Sequence, residues 1–106
     1  MPGPLFADLK GEIDRLETFL NSQDPKENGA GAISWRLIVL GRSHKALVAA
    51  LKDPELQKVH AELASDCKGA AIHVSKTGET PPCRGVIEAI IKVSREALET
   101  SMEPSK

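Results

Sequence analysis

A chain of 106 residues with 41% apolar and 27% charged side chains suits one domain with one core, and is too apolar to stay disordered. Its 14 basic and 15 acidic residues leave a net charge of −1, and aromatic residues make up 3% with no Tyr. With neither sign gathered in a block, this composition argues against a nucleic-acid tail, a base-stacking platform and a polybasic membrane patch.

The stretch from Met1 to Leu20 lacks the basic start and continuous apolar run of a signal peptide, being interrupted by Asp8, Glu12 and Asp14. No apolar run reaches the length of a membrane span. Two cysteines, Cys67 and Cys83, without a secretion signal read as free thiols in a reducing compartment, so a cytoplasmic location is expected.

Pro and Gly divide the chain into four segments. In the first, from about Leu5 to Asn21, Phe6, Leu9, Ile13, Leu16 and Leu20 recur at steps of three and four, which predicts an amphipathic helix. Residues Asn21 to Gly31, rich in Asn, Asp, Pro and Gly, read as a flexible loop.

The second segment, about Ala32 to Lys52, is apolar on two sides. Ile33, Leu37, Leu40, His44, Leu47 and Leu51 form one stripe; Trp35, Val39, Arg42, Ala46 and Ala49 repeat the step on the other. One stripe is enough to meet a core, so a second implies something further to touch. Residues 36–40 also fit a short buried strand, but the four-three step continues past Gly41 to Leu51 and favours helix.

Asp53-Pro54-Glu55 is a helix start: a capping carboxylate, a proline where no N–H is needed, and an acid at the positive end of the dipole. Leu56, His60, Leu63, Cys67, Ala70 and Val74 carry the step to a stop at Thr77-Gly78, with a strand near 70–74 as the alternative. Thr80-Pro81-Pro82 opens the last helix by the same logic, and Val86, Ile87, Ile90, Ile91, Val93, Ala97, Leu98 and Met102 form its apolar face. The expected fold is an all-α, up-down-up-down four-helix bundle over 1–106; a small α+β domain with strands near 36–40 and 70–74 is the competing one.

Four features could carry chemistry. His44 and His60 sit on core-facing stripes and should approach each other across the hairpin, with residue 44 opposite about residue 61. Asp8, Glu12, Glu96 and Glu99 are expected at the same end, a set of metal-ligand type, although it lacks the Glu-x-x-His spacing of di-iron bundles. Cys67, His73 and Cys83 are too far apart for a zinc motif; Cys83 at a helix start could be an acidic thiol, but no base accompanies it. The glycines before the second segment fit no phosphate-binding fingerprint, and neither do Lys76 and Thr77 beside Gly78; Thr80-Pro81 serves as a cap.

The fourth feature is the outer stripe of the second segment: Trp35, Ile38, Val39, Arg42, Ala46 and Ala49. It joins the only tryptophan and an arginine, types enriched at interface hot spots, with small residues that allow close approach. The alternative is that Trp35 is covered by the Asn21–Gly31 loop.

No arrangement of acids, bases or nucleophiles specifies a reaction, and no catalytic residue, cofactor or metal is assigned. The leading expectation is therefore a non-catalytic interaction or regulatory module whose partner is a protein or a second copy of the chain, met through this outer face. A small-ligand or metal binder using His44 and His60 is the alternative, and a membrane-active bundle a weaker third. Neither nucleic acid nor membrane is an expected partner.

Overall fold

The computed structural model describes residues 3–78 and 84–103. They form five helices: α1 (Gly3–Asn21), α2 (Pro25–Asn28), α3 (Ala30–Ala50), α4 (Pro54–Thr77) and α5 (Arg84–Met102). Among the described residues there is no strand, so the α+β alternative fails: 36–40 and 70–74 lie inside α3 and α4. Their β-branched residues do not override a helical period that runs the full length of both segments. No helix among the described residues is long and apolar enough to cross a membrane.

Asp24 caps α2 as Asp53 caps α4. Each carboxylate accepts a backbone N–H two residues on, from Lys26 and from Glu55, both at 2.9 Å. The span expected to be a flexible loop therefore contains a helical turn, and α3 begins at Ala30. At the far end of α4, Gly78 takes the left-handed conformation (φ 69°) and its N–H closes on the Val74 carbonyl. The Thr80-Pro81-Pro82 cap and Cys83 lie outside the described residues.

The stripes of α1, α3, α4 and α5 meet in one core. Leu9, Ile13 and Leu16 of α1, Ile33, Leu37, Leu40 and Leu47 of α3, Val74 of α4 and Ile87 of α5 are fully buried. Each such side chain stabilises the fold by about 1.5–3 kcal/mol through burial. The most extensive packing is between α3 and α4. Ser34 Oγ donates to the Ala71 carbonyl at 3.0 Å, a Cβ at Gly41 would lie 3.2 Å from that of Cys67, and His44 meets His60. Residue numbers rise on one helix as they fall on the other, so the pair is antiparallel.

Basic side chains tie α1 to its neighbours. Arg36 of α3 reaches Glu12 at 3.1 Å and lies over the Phe19 ring. Arg95 of α5 holds Asp14 and Glu17 at 2.8 and 2.6 Å, and Arg84 donates to the Leu20 carbonyl and to Asn21. The molecule measures 44 × 21 × 18 Å.

Candidate functional sites on helix α3

The inner stripe of α3 is spent on the core: Ile33, Leu37, Leu40, His44 and Leu47 are buried, with Leu51 partly buried at the turn. The outer stripe is not. Trp35 is 49% exposed, so the chain before α3 does not cover it. The Arg42 guanidinium lies 5.5 Å from the Trp35 ring centroid, a cation–π contact that holds both on the surface. Ala49 is exposed, and Ile38, Val39 and Ala46 are partly buried.

The predicted face divides. Ile38 and Arg42 open onto a groove of about 840 Å³ between α3 and α4, whereas Trp35, Val39, Ala46 and Ala49 do not line it. Its floor is Ile38 and Gly41 from α3 with Ala61, Ala64, Ala71 and Ile72 from α4. Arg42, Lys45, Lys68 and Lys76 stand around this floor, and among the described residues no acidic side chain lines it. The contribution of α4 has no counterpart in the sequence reading. A groove belongs to two helices, and its signal, small residues at 61, 64 and 71 on an apolar step, becomes visible only once α3 is laid beside α4.

The two histidines meet as expected, with residue 44 opposite residue 60, but their companions are not carboxylates. His44 Nδ1 lies 2.8 Å from His60 Nδ1, and the ring centroids are 5.0 Å apart. His44 Nε2 lies 2.9 Å from Ser94 Oγ, and His60 Nε2 lies 2.8 Å from Ser101 Oγ. Asp8, Glu96 and Glu99 are exposed, and Glu12 pairs with Arg15 and Arg36. Asp8, Glu96 and Glu99 face solvent and Glu12 turns to Arg36 of α3, while the hydroxyls of α5 occupy stripe positions. The step from Ile87 through Ile91, Ser94 and Leu98 to Ser101 was the available signal.

One carbonyl orders the protons of this chain. Ser101 Oγ donates to the Ala97 carbonyl at 2.7 Å, which uses its single hydrogen. It therefore accepts from His60 Nε2–H. His60 Nδ1 is then an acceptor for His44 Nδ1–H, and His44 Nε2 accepts from the Ser94 hydroxyl. Both rings are neutral, in opposite tautomers, with all four nitrogens engaged. Burial pushes the His44 pKa down to about 3, helped by His60, and lowers that of His60 as well. Neither ring has a free lone pair for a metal. Among the described residues, no group of three or more His, Cys, Asp or Glu side chains is placed to hold one.

Cys67 is buried and free, and burial followed by the nearby Asp66 charge raises its pKa to about 12, so it is an unreactive core thiol. His73 is exposed and does not converge with it. No protein-family model matches the chain, and no curated protein or solved structure shows significant similarity to it.

Proposed function

We propose that this protein is a non-catalytic interaction module, an up-down-up-down bundle of four long helices that presents the outer face of α3 to a protein partner or to a second copy of itself. Opposed numbering supports the topology: α3 against α4 as above, and α1 against α5 through Asp14–Arg95 and Asn21–Arg84. The buried free thiol of Cys67 suits a reducing, cytoplasmic setting.

The observation that carries the reading is the half-exposed Trp35 under Arg42 on a helix whose core stripe is already complete. A rigid aromatic with an arginine beside apolar surface is the composition of an interface centre. Among the described residues no comparable cluster of acid, base and nucleophile lies in a cleft, so the interaction reading has the more specific support.

The test pairs wild type with Trp35→Ala/Ala49→Glu, both at exposed positions. Sedimentation reads self-association, and cross-linking followed by capture reads a heterologous partner. A dimer or partner present with wild type and lost with the variant supports the proposal. A monomer with no captured protein, or a partner retained equally by both, overturns it.

A further inference from the structure

We infer that the groove between α3 and α4 receives an acidic amphipathic helix of the partner protein; this rests on the reading of α3 as an interaction surface and specifies what it binds. The groove is lined from Ser34 to Val48 on α3 and from Ala61 to Lys76 on α4, which at helical rise is about 21 Å of track on each side. That accommodates about four turns of a third helix. Gly41, Ala61, Ala64 and Ala71 keep the floor low, so apolar side chains of such a helix reach it.

Charge selects the partner. Helix α3 contains Arg36, Arg42 and Lys45 and no Asp or Glu. Lys10, Arg15, Arg36, Arg84 and Arg95 all form salt bridges, whereas Arg42, Lys45, Lys68 and Lys76 form none among the described residues. These four cations surround the apolar floor with no described carboxylate paired to them, a condition shared by Lys26, Lys52, Lys58 and Lys92 elsewhere on the surface. A helix with Leu-type residues on one face and Glu or Asp on its flanks matches both halves of this arrangement, in the helix-in-groove mode. A bilayer is too flat to reach a floor recessed between two helices. A nucleic acid would set phosphates and sugars on apolar surface, and no aromatic residue lines the groove to stack a base.

The probe is a synthetic peptide of about 18 residues with a Leu face and Glu flanks, long enough to fill the track. Its control has the same Leu face and Lys in place of Glu. Binding is followed by peptide anisotropy and by Trp35 emission, with circular dichroism to verify each variant's fold. The expected result is saturable binding of the Glu peptide and none of the Lys peptide. Lys45→Glu/Lys68→Glu should weaken it by at least about tenfold, and Ser65→Trp, which fills the groove from its exposed edge, should abolish it. Absence of Glu-peptide binding at about 1 mM, equal binding of both peptides, or indifference to the lysine reversal overturns the inference. So does lysine-dependent flotation with phosphatidylserine vesicles in place of peptide binding, or a wild-type dimer that Ser65→Trp dissociates. A partner lost with Trp35→Ala/Ala49→Glu but kept with Lys45→Glu/Lys68→Glu would leave the α3 surface standing and remove the acidic helix from the groove.

Discussion

At the scale of single residues, the Ser94–His44–His60–Ser101 chain is the most constrained part of the molecule. Ser94 and both rings are fully buried, and each hydrogen-bonding group depends on the next. Ser94→Ala leaves His44 Nε2 buried without a donor, a loss of about 1–3 kcal/mol. Exchanging tautomers does not repair this, because His44 Nε2–H would then be a buried donor without an acceptor. The expected outcome is a lower urea midpoint for Ser94→Ala, and a much smaller change for Thr100→Ala, an exposed hydroxyl bonded only to the Glu96 carbonyl. Equal midpoints would mean that the chain contributes little. The histidines were legible because imidazoles on an apolar step are conspicuous. The serines were not, since a small polar residue on a helical stripe reads as a gap in it. The carboxylates were misplaced because sharing an end of a helix does not fix which way a side chain points.

At the scale of elements, α2 shows how a local rule can be hidden by composition. Asp24-Pro25 carries the same capping chemistry as Asp53-Pro54, but the neighbouring Asn and Gly residues suggested a loop. Gly29 ends α2 and precedes α3, and a Cβ there would lie 2.6 Å from the Pro25 carbonyl oxygen, a backbone atom that cannot swing away. Gly29→Ala should therefore destabilise the protein by about 1–3 kcal/mol. Gly31→Ala, where a Cβ meets nothing within 4 Å, should be neutral or stabilising by up to about 1 kcal/mol. Denaturant unfolding of the two variants checks this, and a Gly29→Ala protein as stable as wild type would contradict it. The long helices were legible because their four-three steps are unbroken. Arg95 was not: Glu99 stands one turn away in the sequence, yet the side chain crosses to Asp14 and Glu17 on α1. Sequence spacing lists the partners within a helix and is silent about those across one.

At the scale of the whole molecule, the buried imidazoles couple stability to pH. Both have pKa values lowered on folding, so the unfolded chain takes up protons first as pH falls. Stability is retained above the unfolded value of about 6.5 and declines below it toward the folded His44 value of about 3. Each ring contributes a slope of up to about 1.4 kcal/mol per pH unit. Asp14, whose pKa is lowered chiefly by its hydrogen bond to Arg95, adds its own loss only below the carboxylate range. Urea midpoints between pH 7 and 5 should thus fall for wild type and stay level for His44→Leu/His60→Met. Parallel lines would show that the histidines do not set the acid response. The all-helical class was readable because every segment carries its own period. The groove was not, because its depth depends on Gly41 of α3 meeting Cys67 and Ala64 of α4, a tertiary approach that no stretch of sequence encodes by itself.

The near-neutral total of −1 conceals how the charges are distributed. Helix α1 holds four acids and two bases, while α3 holds three bases and no acid. The molecule is therefore a dipole across its short dimensions, and a dipole experiences torque before it experiences contact. An oppositely charged body within about 10 Å at moderate ionic strength would turn the α3 side toward itself. Geometry alone would leave most encounters facing the wrong way; the field makes the fruitful orientation the frequent one, and dissolved salt would slow arrival more than it hastens departure.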